Sequence, residues 1–176
     1  MRRFILTGAP GAGKTTLIHA LAARGHAVVE EAATDVNAQM IEAGVAHPID
    51  EPDFIERIVA MQIARREAQA ARLQFHDRST ICTLALCRFC GLPEPASLTD
   101  DLVLIVRDGL YDRRVFFVRN LGFMTPTAVR RISFEDSLRF ETIHEEVYRE
   151  LGYELIMVPR ASLDERVEMI ERAVSY

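Results

Sequence analysis

Lysine is almost absent from this chain: Lys14 is the single lysine in 176 residues, and every other member of the 21 Lys-plus-Arg set is arginine. Acids outnumber bases, and the net charge of −5 argues against the broad basic surface of a generic nucleic-acid binder. No apolar run approaches the ~18 residues of a membrane-spanning helix, and the chain enters a strand at once, without the n- and h-regions of a signal peptide. Cysteine is scarce. Cys82, Cys87 and Cys90 fall within nine positions, which offers no fourth zinc ligand of the usual kind, and His76 lies outside the usual spacing. Three thiols cannot all pair with one another. They sit in an apolar helical stretch and are expected to be buried and free, which places the chain in a reducing cytoplasm. Low-complexity tracts and internal repeats are missing too. The five histidines (His19, His26, His47, His76 and His144) are scattered and form no catalytic or metal-binding spacing.

What remains is a globular composition, 49% hydrophobic and 27% charged, enough for one domain over residues 1–176 with a core of its own. The lone lysine belongs to Gly8-Ala9-Pro10-Gly11-Ala12-Gly13-Lys14-Thr15-Thr16, a phosphate-binding loop of the form G-x-x-x-x-G-K-T. It has the flanks that such a loop requires. The run Phe4-Ile5-Leu6 precedes it, as suits a strand buried on both faces of a parallel sheet, and an amphipathic helix follows from Lys14. Gly8, Gly11 and Gly13 let the backbone wrap so that its N–H groups face phosphate oxygens, and the positive end of the helix adds to the attraction. Lys14 reaches the β- and γ-phosphates of ATP, and the Thr15 hydroxyl ligates Mg²⁺. A chain that otherwise uses Arg has kept a compact ammonium where a point charge suits phosphate.

Along the chain, helix 14–23 stops at Gly25, Ala27-Val28-Val29-Glu30 is a second strand, and residues 32–44 are helical. Two prolines make 46–52 a loop, and Asp50 or Asp53 caps the next helix. Residues 73–77 form a third strand, 79–90 a helix, and Ser97-x-x-Asp100 has the form of a capping box opening another helix to about Arg107. Val115–Val118 is the fourth strand, Ser133-x-x-Asp136 opens a long helix ending at Leu151-Gly152, Glu154–Val158 is the fifth strand, and Ser162-x-x-Glu165 caps the last helix. The Ala64–Ala71 stretch with Arg65, Arg66 and Glu67 reads as a solvated helix face. Strand–helix alternation of this kind demands right-handed crossovers and a parallel sheet with helices on both faces. Ligands in such sheets bind at the carboxyl ends of the strands.

Those ends carry the candidate chemistry. Asp77 follows a strand, where it is expected to hold Mg²⁺ opposite Thr15, and Arg78 beside it would contact the acceptor or its phosphate; a helix cap is the plainer alternative for Asp77-Arg78-Ser79. Glu30 and Glu31 end the second strand on opposite faces, so one of them looks into the site, and Glu31 is favoured to orient an acceptor hydroxyl or take its proton. Residues 119–133 hold Arg119, Arg130 and Arg131 with no acid and read as a lid. Thr125-Pro126 would start its helix, Gly122 would be a hinge, and Arg130 or Arg131 would stabilise the transferring phosphate.

Gly-Ala-Pro-Gly-Ala-Gly-Lys-Thr, Val-Val-Glu-Glu-Ala-Ala, Phe-His-Asp-Arg-Ser and the late Glu-Leu-Gly-Tyr-Glu-Leu-Ile-Met-Val-Pro-Arg-Ala resemble the small AAA-type ATPases. Those are similar to the kinase domain of nicotinamide-riboside kinases and, more distantly, to nucleoside and nucleoside-monophosphate kinases. The resemblance implies a three-layer α/β/α P-loop fold with a five-stranded sheet in order 2-3-1-4-5 and a lid between strands 4 and 5. It also implies that adenine lies near Val158-Pro159-Arg160, that Glu31 is the acid of the acceptor pocket, and that Asp77-Arg78 matches the Asp/Glu-Arg-Ser element of nucleoside kinases. Relatives commonly follow Glu-Ala-Ala with Arg, where this chain has Thr34. If that Arg anchors an anionic part of the acceptor, the acceptor here differs.

The expectation is a cytoplasmic Mg-ATP-dependent kinase for a small, hydroxyl-bearing, nucleoside-like acceptor, with ATP and that acceptor as partners and neither membrane nor nucleic acid. A nucleotide-dependent switch read by a protein partner is the rival reading. A polynucleotide 5′-kinase would need a basic strand-tracking groove that the sequence does not show.

Overall fold

The architecture follows from the alternation of faces in the first strand. In the computed structural model, which describes residues 1–8, 10–119 and 133–175 (Phe134 by its backbone alone), β1 spans Arg2–Thr7 and buries Phe4, Ile5 and Leu6 completely. Successive side chains of a strand point to opposite faces. Phe4 and Leu6 therefore enter one core and Ile5 another, and a strand buried on both sides belongs at the centre of a sheet. β2 (Ala27–Val29), β3 (Leu73–Asp77), β4 (Arg114–Val118) and β5 (Glu154–Val158) complete a sheet in the order β2-β3-β1-β4-β5. Each observed pairing is parallel.

The Phe4–Leu6 face is covered by α1 (Lys14–Ala23) and α7 (Leu163–Val174) through Leu17, Ile18, Leu21, Val167 and Ile170. The Ile5 face is covered by α2 (Ala32–Glu42), α3 (Phe54–Ala68), α4 (Thr80–Cys90), α5 (Ala96–Asp108) and α6 (Phe134–Glu150). This is the three-layer P-loop fold, with the strand order that the resemblance implied.

Local signals set most element ends. Ser133 Oγ accepts from the Asp136 amide at 3.0 Å. Ser162 and Glu165 form a reciprocal capping box, each satisfying an orphan amide of the other's end. Ser97 does not cap: α5 begins at Ala96, two residues before the start that a Ser97 cap would give, because Pro95 in extended conformation already offers its carbonyl to the amides of Leu98 and Thr99. The 46–52 loop contains a single 3-10 turn, Pro48–Asp50. Of the three free thiols Cys82 and Cys87 are buried, whereas Cys90 is exposed at the last residue of α4.

The largest departure is at Arg65-Arg66, expected on a solvated face. Arg66 is buried and makes a bidentate bond to Asp101 on α5 (3.0 and 2.7 Å), which also accepts from Thr80 Oγ1 at 2.7 Å. A charge run on one helix cannot announce a carboxylate supplied by another. Among the described residues no helix is long and apolar enough to cross a membrane. The lid positions Gly122, Thr125, Pro126, Arg130 and Arg131 lie outside the described residues, as does Ala9 of the phosphate loop.

Candidate active site

β1 delivers the chain into the phosphate loop at Thr7. Gly8 follows at φ 127°, and a Cβ there would sit 2.3 Å from the Val118 carbonyl oxygen of the neighbouring strand, so only glycine fits. Gly13, at φ 83°, caps the start of α1. The first helical residue is Lys14, only 6% exposed. Burial, and next the charge of Arg78, push its pKa down to about 7 against the pull of Asp77, Glu31 and Cys82. A bound polyanion would reverse that balance, since a nearby opposite charge favours the ammonium.

Register brings the next group in. β1 pairs with β3 so that Leu6 lies beside Asp77, and Thr15 Oγ1 donates to Asp77 Oδ2 at 3.2 Å. Asp77 is 3% exposed, and its Oδ1 is buried without a hydrogen-bond partner among the described residues. Burial pushes its pKa up, helped by Glu31 and opposed by Lys14 and Arg78. A hydroxyl beside a carboxylate with an unused buried oxygen fits a hard cation, and Mg²⁺ takes one or two protein oxygens and completes its shell with phosphate and water. Among the described residues no cluster of three His, Cys, Asp or Glu offers a self-sufficient metal cage.

Arg78 turns the chain from β3 into α4. Its φ of 72° makes it the one non-glycine residue at positive φ among those described, a conformation that costs energy and persists where surroundings impose it. Its amide is anchored on Leu6 O at 3.1 Å. Its Nε stands 2.7 Å from Glu31 Oε1, an ion pair in which the N–H does not line up as a hydrogen bond. Its Nη1 meets Nε2 of buried His144 at 3.2 Å. Because His144 Nδ1 is bound to the Phe140 carbonyl at 2.8 Å, Nδ1 is the donor and Nε2 the acceptor from Arg78. Burial, then Arg78, hold His144 well below its usual pKa and hence neutral.

Glu31 is the acid that faces this site. Thr34 Oγ1 donates to its Oε2 at 2.9 Å. Burial raises its pKa, but the charges of Arg78 and Lys14 and the Thr34 hydroxyl outweigh that and hold it below the ordinary carboxyl value. Glu30 points away, 65% exposed and 3.6 Å from His19. Arg65 grips the turn between them: its Nη1 donates to Glu30 O at 3.1 Å and Glu31 O at 2.7 Å, and its Nη2 pairs with Asp35.

A cavity of about 150 Å³ reaches Pro10 of the phosphate loop, with Glu31, Arg78 and Gln62 on its polar side and Ala33, Leu86 and Phe140 on its apolar side. Two larger pockets, about 390 Å³ beside β2 and about 510 Å³ beside Pro93, do not reach the loop. Beneath Arg78 runs a buried polar chain: Ser79 Oγ to Tyr148 OH (3.3 Å), Tyr148 OH to Cys82 Sγ (3.1 Å), and Cys82 Sγ to Thr7 Oγ1 (3.3 Å).

The structure thus brings Lys14, Thr15, Glu31, Asp77 and Arg78 into one interacting group beside Gly8 and Gly13 of the phosphate loop, and of these Glu31 and Arg78 line the cavity. Thr16 is exposed on α1, and Pro159 and Arg160 are exposed after β5. Arg119 instead donates to Glu141 (2.7 Å) and Glu145 (2.6 Å) of α6, with its guanidinium over the Phe117 ring. Sequence reasoning missed Arg65, His144 and the Cys82–Tyr148 chain, whose partners lie far away along the chain.

The comparisons with known proteins agree with this architecture. No curated protein sequence matches the chain. Among solved structures, the NadR protein in complex with NR superposes with a TM-score of 0.71 at 16% identity, covering 99% of this chain and 52% of that one; this chain spans about half of that protein. A shikimate kinase from Acinetobacter baumannii in complex with shikimate gives 0.61 at 15% identity, over 99% and 93% of the two chains. A deoxyadenosine kinase from M. mycoides with products dCMP and dCDP gives 0.58 at 14% identity, over 98% of each. These are likenesses of fold. The profile of the AAA domain family matches residues 3–166, and with nearly its whole length so matched the chain belongs to that family, built on a P-loop kinase-like fold.

Proposed function

We propose that this chain is a Mg-ATP-dependent kinase that transfers the γ-phosphoryl group to a hydroxyl of a small, nucleoside-like acceptor. The observation that carries the reading is Glu31: an ionised carboxylate, paired with Arg78, on the wall of a cavity that opens beside the phosphate loop. A loop that only bound or hydrolysed nucleotide would have no use for a separate pocket so equipped. The structural neighbours, among them a deoxyadenosine kinase and a shikimate kinase, support the reaction class.

In this reading the amides of residues 8–15 and the Lys14 ammonium hold the β- and γ-phosphates. Thr15 and Asp77 would hold Mg²⁺, which supplies charge neutralisation across those phosphates. The acceptor hydroxyl donates to Glu31, its oxygen bonds to the γ-phosphorus, and the bond to the β,γ-bridging oxygen breaks to release ADP. The depressed pKa of Glu31 makes it a weak base. It therefore positions the hydroxyl and collects the proton late, which suffices for a loose phosphoryl-transfer transition state. Arg78 offsets charge beside the transferring group. Arg130 or Arg131 is the proposed lid arginine, and Arg119, Pro159 and Arg160 are proposed to flank the nucleotide. The free thiols support a reducing, cytoplasmic setting.

The test is a panel of nucleosides, ribosides and cyclic polyols, read by ADP release and by mass analysis of the phosphorylated product. A phosphorylated acceptor with matching ADP release is the expected result. ADP release that is the same with and without every acceptor would overturn the kinase reading in favour of a nucleotide-driven switch.

A further inference from the structure

Arg166 lies in the first turn of α7, is not among the residues that line the cavity, and is 5% exposed. Its Nη2 donates to the carbonyl oxygen of Ala12 at 3.0 Å, and its Nε is buried with no hydrogen-bond partner among the described residues. Among those residues no carboxylate pairs with it. Burial alone accounts for the downward push on its pKa, with no acidic neighbour to oppose it. The helix end makes matters worse, since a cation in a first turn opposes the helix dipole. A buried cation without a counter-charge is costly, so its presence behind the phosphate loop calls for an explanation.

The peptide that it touches supplies one. Ala12 is fully buried among Leu17, Val158, Val167 and Ile170, so its carbonyl is turned inward toward α7. In a trans peptide the carbonyl and the following N–H point in opposite directions. Fixing Ala12 C=O on Arg166 therefore aims the Gly13 N–H the other way, into the concave side of the loop. A donor on the carbonyl also polarises the peptide and strengthens its N–H as a donor.

We propose that Arg166 is a positioning residue of the phosphate loop: it sets and polarises the Ala12–Gly13 peptide so that Gly13 N–H meets a bound polyphosphate, whose negative charge supplies the counter-ion that the guanidinium lacks. The proposal rests on the reading of residues 8–15 as a phosphate cradle. It predicts that Arg166 destabilises the empty protein and stabilises the loaded one.

The experiment uses the full chain with inorganic tripolyphosphate and with ATP as probes, by calorimetry and thermal unfolding, on wild type, Arg166→Met and Arg166→Lys. Expected is a loss of affinity of about tenfold or more for both probes in Arg166→Met. Its ligand-free Tm should equal or exceed that of wild type, and its ligand-induced rise in Tm should shrink. Arg166→Lys, which keeps charge and a donor, should recover most of the affinity. In an amide spectrum the Gly13 N–H resonance should shift on tripolyphosphate binding by less in Arg166→Met than in wild type. Wild-type affinity in Arg166→Met, or a lower ligand-free Tm with an undiminished ligand-induced rise, would show a merely structural residue and overturn the proposal. If Arg166→Met fails to fold, Arg166→Gln, which keeps a donor and removes the charge, takes its place: a ligand-induced rise in Tm smaller than that of wild type with a ligand-free Tm no lower upholds the proposal, and an undiminished rise defeats it. Failure of wild type to bind either probe would instead remove the phosphate-cradle reading, and this proposal with it.

Discussion

Arg78 Nε stands 2.7 Å from Glu31 Oε1, joining the end of β3 to the start of α2 on the wall of the cavity beside the phosphate loop. Glu31→Gln removes the charge and keeps the shape. It is expected to leave ATP affinity within about twofold while turnover with an accepted substrate falls by about 10² or more. Calorimetry with ATP and a steady-state assay check this, and a loss of nucleotide affinity would move Glu31 out of the acceptor site.

Lys14→Met should abolish turnover and weaken MgATP binding by about ten- to a hundredfold, the worth of a charge-assisted contact of ~1.5–3 kcal/mol. The ligand-free protein should be no less stable, because Lys14 is buried beside Arg78 and disfavoured as a cation. Retained activity would contradict the phosphate role of this lysine.

Arg65→Met unclamps the carbonyls of Glu30 and Glu31. The bonds are partly exposed, so global stability should fall by only about 1 kcal/mol. Turnover should fall more than that loss implies, by about tenfold, because a small displacement of a positioning group is expensive in rate. Urea unfolding and kinetics on the same preparation separate the two effects, and a rate unchanged beside a lowered stability would reduce Arg65 to a structural role.

Asp101→Ala strands Arg66, which is 5% exposed by its side chain. Breaking a buried pair in this way costs about 3–5 kcal/mol. The double variant Arg66→Met/Asp101→Leu should recover much of that loss, since a packed apolar replacement avoids the stranded charge. Chemical denaturation of the single and double variants decides it.

Acid should weaken the fold before the carboxylates titrate. Burial, then Arg3 and Arg66, push His76 from 6.5 down to about 3, and His144 is likewise held well below its usual value by burial and Arg78. Above pH 6.5 neither the folded nor the unfolded state protonates them. Below it the unfolded chain takes up protons that the folded one refuses, so stability falls with pH at up to about 1.4 kcal/mol per unit for each histidine. Urea unfolding at pH 7 and pH 5 should show the fall, and His76→Gln should reduce its slope. A flat profile in the wild type would contradict the neutral, buried assignment.

Much of the site was legible from neighbours in sequence. Phe4-Ile5-Leu6, the spaced glycines, Lys14 and Thr15 form a unit whose geometry is set within fifteen residues, and the placing of Asp77 opposite Thr15 could be read because it ends a strand of a parallel sheet. Between Glu30 and Glu31 the alternation of a strand left a choice. The structure settles which one faces Arg78, because β2 stops at Val29 and the turn held by Arg65 directs the Glu31 side chain toward the cavity.

Local patterning determined the strands, most helix ends, the caps at Ser133 and Ser162, and the glycine-rich turn that carries Lys14 into α1, since each depends on backbone preferences and periodicity over a few residues. Tertiary structure alone decided that Arg66 is buried, that His144 accepts from Arg78, and that Arg166 reaches Ala12 across 154 positions. Those are charges and dipoles placed by packing. Nothing in a residue's own segment records which distant group will remove it from water.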